Sequence, residues 1–241
     1  MSSVSNASQF SARGAVALVT GANRGIGKVF ARELIDRGAA RVYGGARNPD
    51  RIDVPGVVPV RLDITDPAQV AATADQCTDV TLLVNNAGIF RARPLLGNPL
   101  TQDARDEMET NFFGTLSMIR AFAPILGRNG GGAIINVLSI LSFAQYAPWG
   151  SYGASKAAAW ALSNSARDEL APQGTHVMSV HCSFVDTDMT TDIELPKMPP
   201  GALVTMVLDA LEMGEPEVLA EQLTRDSKAM LSDYPRKRPP F

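Results

Sequence analysis

The chain has 241 residues, 45% of them hydrophobic, with 22 basic and 25 acidic side chains and a formal net charge of −3. That is enough apolar material for one domain with a large core, and the near-balance of charge argues against a polyanionic partner such as nucleic acid. Two cysteines, Cys77 and Cys182, are too few for a disulfide framework, and no run approaches the ~18 apolar residues a membrane helix needs.

Residues 1–13 are Ser-rich and lack the apolar core of a signal peptide, so they read as a flexible N-terminal segment of a soluble, cytoplasmic protein. A single domain is expected over 14–232, followed by a tail at 233–241 whose Arg236-Lys237-Arg238 cluster reads as a solvated terminus. Within the domain, short apolar runs alternate with helical patterns, which argues for a parallel sheet wrapped by helices. Ala15–Val19 reads as a first strand buried on both faces. A helix follows over Gly25–Arg37, with Gly38 as its C-cap. Arg41–Ala46 and Val57–Leu62 read as the next two strands, and Asp66-Pro67 as the capped start of a helix reaching Cys77. Leu82–Val84 is a fourth strand. One long helix is expected over Asp103–Leu126, then a strand at Ala133–Leu138, a helix at Tyr152–Leu170 and a strand at Val177–Val180. A helix over Gly201–Met213, a short edge strand at Glu217–Ala220 and a polar helix over Glu221–Leu231 complete the series. The predicted architecture is one doubly wound α/β Rossmann-type domain, strand order 3-2-1-4-5-6, with helices on both faces and a short seventh strand.

Tyr152 and Lys156 stand four apart in a predicted helix, so they project from one face. A free phenol titrates near ~10 and is a poor acid–base group at neutral pH; a neighbouring lysine cation favours the phenolate and lowers that value. Such a pair suits proton exchange with an alcohol or ketone oxygen, and Ser139 lies thirteen residues upstream. The turn Thr20-Gly-Ala-Asn-Arg-Gly-Ile-Gly27 joins a buried strand to a helix, where glycines let the backbone approach a pyrophosphate and the helix N-terminus offers free N–H groups. The second strand ends in Arg47 with no acid to accept from a ribose 2′-hydroxyl, and Arg24 lies inside the turn; two guanidinium groups there suit a 2′-phosphate, which points to NADP(H).

With Leu62-Asp63, Asn85-Asn-Ala-Gly88 and Asn111 added to these motifs, the chain resembles a short-chain dehydrogenase/reductase of the NADP(H)-preferring type over roughly Gly14–Met189. The resemblance implies Tyr152 as general acid, Ser139 as the hydrogen bond to the substrate oxygen, and Lys156 as the group that tunes Tyr152 and binds the nicotinamide ribose. It implies Asn111 as the holder of a proton-relay water. Cofactor contacts are implied for Gly21, Asn23, Arg24, Gly25, Ile26, Gly27 and Arg47 at the first turn. Asp63, Ile64, Asn85, Ala87 and Gly88 would contact the adenosine half, with Tyr152, Lys156, Val185 and Thr187 near the nicotinamide. It also implies a homo-oligomer, dimer or tetramer. Asp63 has a plainer reading as a turn former before Thr65.

Two departures stand out. Cys182-Ser183 occupies the place of the family's usual Pro-Gly, where a serine would be strained if positive φ were required, and the C-terminal part lacks the usual glycine-rich final strand. Alternation turns His181 and Cys182 to opposite faces, so no metal site is expected. The substrate pocket is expected beyond the strand ends, walled by Phe90, Ile140, Leu141, Phe143, Trp149, Phe184 and Met189, which fits an apolar or aromatic ketone or its alcohol. Reduction of a conjugated C=C or imine, and non-catalytic NADPH sensing, are the rival readings.

Overall fold

The computed structural model describes residues 10–96 and 101–233; the Ser-rich start and the Arg236–Arg238 cluster lie outside the described residues. Among the described residues seven strands form one parallel sheet in the order β3-β2-β1-β4-β5-β6-β7. The strands are β1 (Val16–Thr20), β2 (Arg41–Ala46), β3 (Val57–Arg61), β4 (Leu82–Asn85), β5 (Ala133–Val137), β6 (His176–His181) and β7 (Glu217–Leu219). The order reverses between β1 and its neighbours β2 and β4, and a crevice opens beyond the carboxyl ends of the strands at such a switch point.

Two apolar layers hold the helices to the sheet, and strand alternation decides which side chain serves which layer. Ala17 and Val19 of β1 face α1 (Gly25–Asp36) and α6 (Pro200–Glu212), where Phe30, Leu34, Leu203, Val207 and Leu211 are fully buried. Leu18 and Leu83 face the opposite layer, packed by Met118 and Phe122 of α4 (Thr115–Arg128) and Ala166 of α5 (Gly150–Leu170). On that side lie also α2 (Pro67–Gln76), capped by the Asp66 side chain accepting from Ala68 and Gln69 N–H, and α3 (Thr101–Met108). Gly38 ends α1 with φ +84°, its N–H donating to Ile35 and that of Ala39 to Leu34.

Two features differ from the sequence expectation. The long helix expected over Asp103–Leu126 is divided by a π-turn at Glu109–Gly114, which carries Asn111; π-turns inside helices cluster at functional positions because the extra residue re-aims one side chain. The tyrosine–lysine helix begins at Gly150, two residues earlier than expected. The short edge strand at the C-terminus is present as β7, followed by α7 (Gln222–Ala229).

Candidate active site

One cavity of about 480 Å³ lies over the carboxyl ends of β1, β4 and β5, within the range of small-molecule sites. At one end is the glycine turn. Gly21 (φ +69°) and Gly25 (φ +52°) take backbone conformations that disfavour a side chain, and Arg24 precedes α1 without capping it by its side chain. The first N–H groups of α1 therefore face the cavity without a side-chain acceptor, at the positive end of the helix dipole. Asn23 and Ile26 line this end with Arg24 and Arg47, and Asn48 and Arg51 join them. Gly27 lies beneath: a Cβ there would come within 2.3 Å of the Gly21 carbonyl oxygen, so this glycine closes the turn rather than lining the cavity.

The middle of the cavity is walled by Asp63, Ile64, Ala87 and Gly88. Asp63 Oδ1 accepts from the N–H and hydroxyl of Thr65 at 3.0 and 2.8 Å, so the plainer turn-forming reading holds even as the residue lines the cavity. Asn85 is a correction. Its side chain points into the core and donates to Asn136 Oδ1 at 2.9 Å, and the next residue, Asn86, lines the cavity instead. Asn86 Nδ2 donates to the Thr20 carbonyl at 2.9 Å, while the Thr20 hydroxyl accepts from Asn86 and Ala87 N–H, lacing β4 to the glycine turn.

At the other end Ser139, Tyr152 and Lys156 converge. Ser139 Oγ accepts from Leu141 N–H at 3.1 Å as the cap of a short 3-10 turn, and α5 supplies the other two. Lys156 Nζ donates to the Val137 carbonyl at 2.9 Å and lies 5.6 Å from the Tyr152 ring centre. Gly88 keeps the space beside them open, since a Cβ there would stand 3.0 Å from Asn111 Oδ1 and 3.7 Å from Lys156 Nζ. Asn111 does not line the cavity. Its Nδ2 donates to the Ile89 carbonyl and Ser155 Oγ, and its Oδ1 accepts from Ile89 N–H, so its side chain ties the π-turn to the β4 loop and to α5.

Charge in this corner differs from the expectation that lysine lowers the tyrosine. Burial pushes Tyr152 up, helped by Cys182 and Glu107, and only the Ser139 hydroxyl pulls it down. Burial also lowers Lys156 to about 8. Both ionised forms lose solvation in a corner walled by apolar groups, and the lysine stands over the ring face. The Tyr152 side chain keeps partial solvent access, which moderates its shift.

The substrate end is walled by Phe90, Ile140, Leu141, Phe184 and Met189, with Phe90 edge-on to Tyr152 at 4.8 Å. Phe143 and Trp149 are corrections. Phe143 turns inward against Trp160 and His181, and Trp149 stands behind Phe184 at 5.4 Å, because neither turn places its ring on the cavity side. Val185, Thr187 and the unexpected Cys182, Ser183 and Asp188 complete the wall. Ser183 is unstrained: Ala92 is the one non-glycine among the described residues with positive φ. Its N–H instead donates to both oxygens of Glu221 at 3.1 Å, a contact between residues 38 positions apart that sequence spacing does not signal.

The parallel fold, the glycine turn and the serine–tyrosine–lysine corner are those of a dinucleotide-dependent oxidoreductase. The family profile described as short chain dehydrogenase matches residues 15–197, and the chain belongs to that family. It is 35% identical to a 3-oxoacyl-(acyl-carrier-protein) reductase of Vibrio cholerae over 206 residues, 79% of this chain and 84% of that protein. To a 3-alpha-(or 20-beta)-hydroxysteroid dehydrogenase of Mycobacterium bovis it is 36% identical over 188 residues, 73% of this chain and 71% of that one. A crystal structure of a short chain dehydrogenase from Burkholderia cenocepacia in complex with NADP superposes with a TM-score of 0.90 at 44% identity, covering 94% of this chain and 96% of that one.

Proposed function

We propose that this protein is an NADP(H)-dependent oxidoreductase that interconverts an apolar, in the first instance aromatic, ketone and its secondary alcohol. The observation that carries the reading is the convergence of Ser139, Tyr152 and Lys156 at one end of a cavity whose other end is a glycine turn ringed by Arg24, Arg47 and Arg51. The α1 N-terminus suits a pyrophosphate, the arginines suit a 2′-phosphate, and the NADP complex of the 44% identical Burkholderia protein supports the choice. When bound, the cofactor supplies or accepts the hydride. Ser139 Oγ donates to the substrate oxygen, and Tyr152 gives that oxygen its proton. Lys156 would hold the ribose hydroxyls of the bound cofactor and would compensate the phenolate left behind. Phe90, Leu141 and Phe184 exclude water from the reacting carbon.

NADPH consumption against aryl and alkyl ketones, compared with the Tyr152→Phe variant, tests the proposal. The variant should bind NADPH as the parent does and lose at least about 100-fold in kcat. Turnover surviving in it would remove Tyr152 as the proton donor. Binding without turnover of any ketone, imine or conjugated alkene would leave a cofactor-binding role.

A further inference from the structure

Behind Ser139 is a polar cluster that the proposed chemistry does not use. His181, the last residue of β6, is fully buried. Its Nδ1 lies 3.1 Å from the main-chain oxygen of Ser139. Its Nε2 lies 3.3 Å from Glu217 Oε1 of β7, a close contact rather than an aligned hydrogen bond. Phe143 and Trp160 pack against the ring at 5.0 and 5.8 Å and keep water from it.

A carbonyl oxygen only accepts, so Nδ1 must carry a hydrogen and the ring donates to Ser139. On the β7 side Glu217 is shared with Lys228 of α7, and Glu221 at the start of α7 reaches Ser183, two residues along. On the cavity side stand the Cys182 thiol, raised to about 12 by burial, and Lys156. Burial would raise Glu217, yet the neighbouring His181 and Lys228 hold it down to about 2, so the carboxylate stays ionised throughout the neutral range.

We propose that His181 is a positioning residue for Ser139: held between the Ser139 carbonyl and Glu217, it fixes the main chain that aims the serine hydroxyl at the substrate oxygen. The β7–α7 segment thereby braces the reacting corner twice, through Glu217 and His181 to Ser139, and through Glu221 to Ser183. The inference rests on the role proposed above for Ser139.

The first test needs no substrate. The chain has two histidines, so nitrogen-15 NMR of histidine-labelled protein, with a His176→Gln variant for assignment, reads the His181 ring directly. Nδ1 of His181 should carry a hydrogen bonded to the Ser139 carbonyl in the parent. A ring that carries its hydrogen on Nε2 alone overturns the proposal. The second test uses any ketone the parent reduces. Misplacement on the ångström scale costs up to about 100-fold, so His181→Gln and Glu217→Gln should each lower kcat by about 10- to 100-fold with NADPH affinity and KM little changed. The double variant should be no worse than His181→Gln, because Glu217 acts through the ring. Unchanged kcat in the folded Glu217→Gln protein overturns the proposal even where His181→Gln does not fold. If the parent reduces no ketone, the role of Ser139 fails and the positioning claim with it, while the NMR result still decides whether the ring donates to the Ser139 carbonyl.

Discussion

At the level of single residues, burial sets the chemistry of the site more than pairing does. Tyr152 is raised by burial and Lys156 lowered by it, so near pH 7 the phenol carries its proton and the lysine keeps most of its charge. Ketone reduction needs the protonated phenol and the charged lysine, so its rate should be nearly flat from pH 6 to 7 and fall as pH rises through about 8. Alcohol oxidation needs the phenolate, whose fraction grows about tenfold per pH unit below the pKa. The oxidation rate should therefore climb steeply over the same range, and pH–rate profiles in both directions check this; parallel profiles would contradict it. Glu107 gives a second test. It is fully buried, accepts from Arg91 N–H at 2.7 Å, and leaves Oε2 without a partner. Burial raises its pKa, against the opposing hydrogen bonds from Ser151 and Arg91. A carboxyl raised on folding contributes fully below its ordinary value of 4.5, and that contribution is lost as pH rises through the folded value. Glu107→Gln should thus be more stable than the parent at pH 8 by about 1 kcal/mol, or about 2–4 °C in Tm. The gap should close by pH 4.5 in calorimetry. The sequence showed neither Glu107 nor His181 as special, because an acid in an amphipathic helix reads as surface and a pair 36 residues apart has no spacing signature. It also aimed Asn85, Phe143 and Trp149 at the cavity, since side-chain direction in turns and at strand ends depends on backbone detail that periodicity does not carry.

Elements were more legible, because burial on two faces writes itself into uniform apolar runs and glycine marks where strands turn into helices. All seven strands, the Gly38 cap and the Asp66 cap fall within a residue or two of their sequence positions. The π-turn was not legible: its insertion leaves the apolar pattern of α3 and α4 unbroken, and the polar Asn111 was the one hint. The junction of β1 and α1 carries the element-level prediction. Alanine at Gly27 would gain up to about 1 kcal/mol of helix propensity. Its Cβ, however, would stand 2.3 Å from the Gly21 carbonyl and 2.5 Å from Asn86 Nδ2, a backbone and a laced side chain that cannot both retreat. Overpacking of this kind costs about 1–3 kcal/mol or more, so the clash wins. Gly27→Ala should lower Tm and weaken NADPH binding at least tenfold by fluorescence titration; unchanged binding would show that the turn tolerates a wider approach of β1 to β4.

For the molecule as a whole, the consequence of the cavity is linkage between cofactor and stability. A ligand at 100 times its Kd stabilises the native state by about 2.7 kcal/mol, which for a chain of this size is about 5–10 °C in Tm. NADPH and NADH differ only at the ribose 2′-position, so the difference between their Tm shifts isolates the arginine end. Arg24 already has a partner there, Asp188 at 3.8 Å, but both side chains are more than half exposed, and such a pair is worth at most about 1 kcal/mol. A 2′-phosphate offers hydrogen bonds to charged donors worth about 1.5–3 kcal/mol each, so it should draw Arg24 from Asp188 and recruit Arg47 at the same time. The parent should therefore bind NADPH about 100-fold more tightly than NADH. Replacing Arg24 and Arg47 together with alanine should remove most of the NADPH shift at a fixed concentration and leave the NADH shift nearly intact. Equal losses for the two cofactors would mean that the arginines serve the shared pyrophosphate, and the preference for the phosphorylated cofactor would then have to come from Arg51 or from the α1 N-terminus alone.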